Sequence, residues 1–172
     1  VKQTFLHRPG LEIEADFSQE IPPLFRYRLS ATKLGACEKP RTVCAIMQNP
    51  SNARVEFADK SIQVLERVAF EKGYGQFIGV ERLIIVNQFA FIQTNDFVGI
   101  DEQIGGRNKV AIANALDEAE IILIAWGKYN RFTEIQNEIL EMIRGQKGKT
   151  LLQTSRHPSR VIYNGFIQEH GT

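Results

Sequence analysis

Two cysteines in 172 residues, a net charge of only +1, no apolar run of membrane-spanning length and no phosphate-cradling glycine motif already narrow what this chain can be. Cys37 and Cys44 are too few for a disulfide framework, and Cys44 stands inside a strand-like apolar run, so two free thiols in a reducing compartment are expected. No window approaches the roughly 18 apolar residues of a bilayer span, and Val1-Lys2-Gln3-Thr4-Phe5 has no signal-like stretch; the expected location is cytoplasmic. With 21 Lys and Arg against 20 Asp and Glu the surface is not generally basic, and a nucleic-acid partner would need a local patch. The glycines between Gly99 and Gly106 match neither the dinucleotide fingerprint nor the phosphate-loop pattern, which removes the best support for nicotinamide redox chemistry and nucleotide hydrolysis.

What is present is the composition of a folded globule, 43% hydrophobic and 24% charged, in a length that one core can serve. Residues 1–24, broken by Pro9-Gly10 and Pro22-Pro23, read as an arm or edge element, and residues 25–172 as one α/β domain. Phe25 to Leu29 alternates like a short edge strand, whose arginines point toward water or toward a ligand. Four apolar runs then read as buried strands: Thr42 to Met47, Arg82 to Asn87, Ile121 to Trp126, and Thr150 to Thr154. Between them lie helical stripes over Asp59 to Phe70, about Asn108 to Ala119, and from Asn130 or Thr133 to Ile143. Asp59 or Ser61 is expected to cap the first of these helices. Right-handed crossovers would make this a three-layer α/β/α sandwich with a mainly parallel central sheet of about four strands, plus the N-terminal edge strand or arm.

In such a sheet the loops after the strands' carboxyl ends share one rim, and ligands bind there. That rim would carry the amide-rich Gln48-Asn49-Pro50-Ser51-Asn52, then Asn87 with Phe89, then Gly127, and finally Ser155, His157, Ser159 and Arg160. An amide beside aromatic faces suits a planar, hydrogen-bonding ring. Ordinary turn chemistry accounts for the same residues equally well: Asn-Pro capped by Ser51, core phenylalanines, and a histidine in a proline turn.

Two resemblances rest on these residues. The stretches Asn49-Pro50-Ser51-Asn52-Ala53, Asp59 to Ile62, Gly73-Tyr74-Gly75, Val86 to Ala90, Gly105 with Asn108, Ala125-Trp126-Gly127 and His157-Pro158 resemble the bacterial and phage domain of unknown function 1643, over roughly Phe25 to Ile167. That family implies no activity. The second resemblance is to the uracil-DNA glycosylase superfamily, at Met47 to Ser51, Leu83 to Asn87, Ile122 to Tyr129 and Leu152 to Ser159.

The glycosylase resemblance implies a glycosylase-like fold and a set of roles. Asn49 would hold the attacking water, Asn87 would read a flipped base, and His157 would donate to its carbonyl. Val161 would fill the space the base leaves, Ser51 would shape the pocket, and Ser155 and Ser159 would contact phosphate. Asparagine cannot serve as a general base, Arg160 stands where the superfamily has a proline, and Asp59 and Asn108 fall outside its scheme.

Three functional readings stay open. One is a nucleobase- or DNA-directed N-glycosylase-like hydrolase using positioned water through Asn49, His157 and Asn87, and needing neither metal nor organic cofactor. Another is a non-catalytic nucleic-acid or nucleotide-binding module, with Gln48, Ser51 and Phe89 on its rim and Arg26, Arg28, Arg156 and Arg160 supplying charge. The last is an enzyme acting on a small polar metabolite with Asp59 as its carboxylate, whose mark would be a closed pocket containing Asp59 and His157 with no groove wide enough for a strand.

Overall fold

The computed structural model describes residues 5–128 and 131–171; Tyr129 and Asn130, expected respectively in a glycosylase-like motif and as a helix cap, lie outside the described residues. The strands are β1 (Leu11–Phe17), β2 (Arg26–Lys33), β3 (Arg41–Met47), β4 (Val80–Asn87), β5 (Ile121–Ile124), β6 (Thr150–Thr154) and β7 (Ile167–Glu169). The α-helices are α1 (Lys60–Phe70), α2 (Asn108–Glu118) and α3 (Thr133–Arg144). All seven strands join one sheet in the order β1-β2-β4-β3-β5-β6-β7.

This corrects the expected fold. The sheet is not a mainly parallel one of about four strands, and the uracil-DNA glycosylase-like architecture inferred from it does not hold. The pairings β4-β3, β3-β5 and β5-β6 are parallel, whereas β1-β2, β2-β4 and β6-β7 are antiparallel, so the sheet is mixed and extends beyond the parallel strands on both sides. The physical reason is that β1 and β7 carry weak local signals. β1 alternates half-buried and exposed residues along LEIEADF, and β7 is three residues long. Such strands are recruited by the open hydrogen-bonding edges of their neighbours rather than by their own hydrophobicity. β2, which reads as an edge, is interior, with β1 on one side and β4 on the other.

The buried strands separate two cores by the period-two rule. Val43, Ala45 and Met47 of β3 and Leu83 and Ile85 of β4 face α1, whose Ile62, Leu65 and Val68 close that core. Cys44, Ile46, Ile84 and Val86 face the other way, onto Ile112 and Leu116 of α2 and Ile139 and Ile143 of α3. Each fully buried aliphatic side chain of this kind contributes about 1.5–3 kcal/mol.

One irregularity positions a functional side chain. Asp16 pairs with Arg28 but Phe17 with Arg26, so the register slips at Tyr27. In a regular strand, residues two apart share a face. Here Arg28 ion-pairs with Glu118 of α2 on one face, while Arg26 donates to the carbonyl of Ala53, which packs in the α1 core on the other. A bulge of this kind redirects a side chain by inserting one residue.

Candidate functional site

A cavity of about 140 Å³ opens where the amino end of α1 meets the loop after β3 and the turn after β6. Arg26, Asn49, Ser51, Asp59, Gln93 and His157 supply its polar lining, and Met47 and Ile62 its apolar floor. A wider groove of about 770 Å³ adjoins it, sharing Ser51, Asp59 and Thr94 and flanked by Phe5, Arg54 and Lys60.

Asp59 is held by its place at the start of α1. Its backbone is extended (φ −105°, ψ 177°) and its Oδ1 accepts the N–H of Ile62 at 2.9 Å, which is the geometry of an N-cap. One carboxylate oxygen is thereby committed to the helix and the other is left for the cavity. Asn49 is held at both ends: its Nδ2 donates to the carbonyl of Gln93 at 2.7 Å, and its Oδ1 accepts from Gln48 Nε2 at 3.2 Å. Ser51 Oγ and Thr94 Oγ1 lie 3.4 Å apart across the mouth.

His157 leaves β6 in an extended conformation and opens the short 3-10 turn Pro158–Arg160. The N–H of Ser159 donates to its Nδ1 at 3.2 Å, and Ser159 Oγ lies 2.9 Å from the same atom. An Nδ1 that accepts a backbone N–H is unprotonated, so in the neutral ring the proton sits on Nε2. Burial lowers the His157 pKa below its ordinary value; the nearby Asp59 charge opposes this and Arg160 adds to it. The ring is therefore neutral at pH 7 and offers an N–H. Gly127, at φ +89°, brings the chain after β5 against His157 in a conformation that disfavours a side chain.

The remaining sequence candidates lie elsewhere. Asn87 is fully buried under the rim, off the cavity wall, and both polar atoms of its side chain lack a hydrogen-bond partner among the described residues. Asn108, also buried, donates its Nδ2 to the carbonyls of Asn87 and Gln88, tying the start of α2 to the end of β4. Phe89 packs edge-on against Phe97 and Phe132, with ring centres 5.1 and 4.9 Å away. Ser155 is fastened through its backbone to Phe166, Ser159 serves His157, Arg160 is exposed, and Val161 packs against the α1-side core.

Arg26, which the sequence offers only as a source of rim charge, lines the cavity from within. It is 1% exposed, and burial brings its pKa down to about 10, partly offset by Asp59, so it remains cationic at neutral pH. Its only sequence signal was an arginine in an alternating strand, and alternation cannot reveal the bulge that turns it inward. Gln93 and Thr94 carry no sequence signal, since they are ordinary polar residues in their local setting, and Ser61 reads only as a possible cap of α1. Among the described residues no group of three or more His, Cys, Asp or Glu is arranged to hold a metal ion. No helix among them is long and apolar enough to cross a membrane.

A sequence-family profile described as "Protein of unknown function (DUF1643)" matches residues 26–159, well over half of the chain. The chain belongs to this family. The DUF1643 match begins at Arg26 and ends at Ser159, so it brackets the cavity from its buried arginine to the serine that orients His157. No curated protein and no solved structure matches this DUF1643 chain. Nothing in these comparisons supports the resemblance to the uracil-DNA glycosylase superfamily, and the mixed sheet argues against it.

Proposed function

We propose that the protein is an enzyme acting on a small polar metabolite, with Asp59 as general base and His157 as hydrogen-bond donor to the negative charge that develops in a hydrolytic step. The observation that carries this reading is the convergence of Asp59 and His157, 98 positions apart, on one small polar cavity. A void of about 150 Å³ holds a single six-membered ring, so a cavity of about 140 Å³ fits a compact metabolite or the reactive end of a longer one lying in the adjoining groove. The cavity itself is too small for a polymer strand, and Asp59 also borders the wider groove beside it.

The roles follow from what each group has left to give. The oxygen of Asp59 that does not cap α1 takes a proton from water as that water attacks a carbonyl carbon, the Nε2–H of neutral His157 stabilises the resulting oxyanion, and its collapse breaks the bond to the leaving group, which takes the proton back from Asp59. Asn49 is spent on Gln93 and Gln48, which suits it to shape the cavity wall rather than to activate water.

Turnover of a panel of small polar metabolites, followed by NMR, tests the assignment. Asp59→Asn keeps the helix cap, because asparagine caps as well as aspartate, yet removes the base. It is expected to lower kcat by about 100-fold or more with little change in Tm. Acid protonates His157 at Nδ1, which keeps the Nε2–H but breaks the Ser159 N–H bond that orients the ring, so activity should fall with a midpoint below the ordinary 6.5, the downward direction set by burial. Full turnover in Asp59→Asn would refute the reading.

A further inference from the structure

Arg26 carries the charge imbalance from which the ligand class of this cavity can be read. Several other arginines meet carboxylates, Arg28 with Glu118 at 2.6 Å, Arg8 with Glu71 at 2.6 Å, Arg107 with Asp16 at 3.1 Å and Arg82 with Glu118 at 3.5 Å, and Arg67, which among the described residues forms no ion pair, is only half-buried. Arg26 is enclosed at 1% exposure, and among the described residues no carboxylate oxygen lies within 4 Å of it. Of its donors, Nη1 is satisfied by the carbonyl of Ala53 at 3.0 Å, while Nε is buried with no acceptor among the described residues. Asp59 acts on it only through the longer-range field, with one oxygen already committed to Ile62. A cation withdrawn from water is strongly unfavourable unless a paired anion and hydrogen bonds compensate it.

We propose that Arg26 anchors an oxyanion, the carboxylate or phosphate end of a small metabolite, which enters the cavity and supplies the missing partner. The inference rests on the reading of the cavity as a ligand site given above, and it names the substrate class. The planar guanidinium matches the two oxygens of a carboxylate or phosphate. The first turn of α1 forms the same wall through Ser61 and Ile62, and its partial positive charge favours an anion there. The hydroxyls of Ser51, Ser61 and Thr94 complete a lining rich in donors. An anion seated on Arg26 would leave the electrophilic end of the molecule to Asp59 and His157.

The test is calorimetric titration of the full chain with inorganic phosphate, acetate and neutral acetamide, against wild type, Arg26→Met and Arg26→Lys, with circular dichroism to confirm folding. Wild type is expected to bind at least one of the two anions and to ignore acetamide; phosphate alone would identify a phosphorylated metabolite, acetate alone a carboxylic acid. Arg26→Met should weaken binding roughly 10- to 100-fold, as for loss of charge-assisted hydrogen bonds. Arg26→Lys should fall between, having kept the charge and lost the fork. If Arg26→Met does not fold, Arg26→Lys and Ser61→Ala carry the same comparison. The proposal is overturned if neither anion binds wild type, or if a folded Arg26 variant binds as tightly. Anion binding through Arg26 without Asp59-dependent turnover would remove the enzymatic reading and leave this one. Asp59-dependent turnover of a neutral metabolite, with no anion bound, would do the reverse.

Discussion

Replacing His7 by alanine should lower Tm by about 6–12 °C at pH 6 and by much less at pH 9. His7 Nδ1 lies 2.5 Å from Glu66 Oε1, and His7 Nε2 lies 2.7 Å from the carbonyl oxygen of Arg54. Both neighbours are acceptors, so both ring nitrogens donate and the folded protein holds an imidazolium. Burial alone would lower the His7 pKa, but the hydrogen bonds to Glu66 and Arg54 and the Glu66 charge outweigh it, and the net direction is upward. Glu66 is 0% exposed, so the variant would bury a carboxylate without its counter-ion. Breaking a buried pair in this way costs about 3–5 kcal/mol, and the lower end applies because the backbone N–H of Arg8 still donates to Glu66 Oε2 at 2.8 Å. At 2–4 °C per kcal/mol for a domain of about this size, roughly 3 kcal/mol becomes the stated shift. Because the folded pKa is raised, this stabilisation is fully present below the unfolded value of about 6.5 and is lost as pH rises through the folded value. Differential scanning fluorimetry of wild type and His7→Ala from pH 6 to 9 reads both effects. A variant matching wild type at pH 6, or a difference that does not shrink with rising pH, would refute the imidazolium assignment.

Gly127→Ala should cost about 1–2 kcal/mol in urea denaturation, because φ +89° strains any residue with a Cβ, while the nearest atom to that Cβ, the His157 nitrogen at 3.4 Å, is an ordinary contact. A much larger loss would mean that the approach to His157 is tighter than this geometry allows. Cys37 is exposed and Cys44 is buried, with burial pushing the Cys44 thiol up to about 12. Ellman's reagent should therefore titrate one thiol in the native protein and two after unfolding. Reaction at Cys37 should be slower than for a free thiol, since the hydrogen bond to Glu81 raises its pKa. Two fast native thiols would contradict the buried placement of Cys44.

The parts of this protein that could be read from sequence are those whose causes are local. The runs at Val43 to Met47 and Ile121 to Ile124 are apolar on both faces, because each is covered by helices on both sides, and that burial is written into consecutive residues. Asp59 could be foreseen as a cap since capping needs only a short polar side chain three residues before a free N–H. His157 and the Gln48-to-Ser51 loop were placed at strand ends for the same reason. Strands without a strong hydrophobic signal are not legible in this way. β1 and β7 owe their existence to backbone pairing with β2 and β6 rather than to their own hydrophobic pattern, and strand direction is a property of a pair.

Residue chemistry and short-range pattern thus established an α/β chain with strong internal strands, free thiols, an acidic helix cap and a histidine turn. The width and mixed direction of the sheet came from backbone hydrogen bonding between its edge strands and the strands beside them, which hydrophobic patterning does not encode. Which rim residues meet was likewise settled by folding: Asn87 and Phe89 turned into the interior, whereas Asp59, His157 and Asn49 came to one cavity. The bulge opposite Asp16 and Phe17 then turned Arg26 toward them, a reversal of facing that one inserted residue causes and that the alternation of the strand conceals.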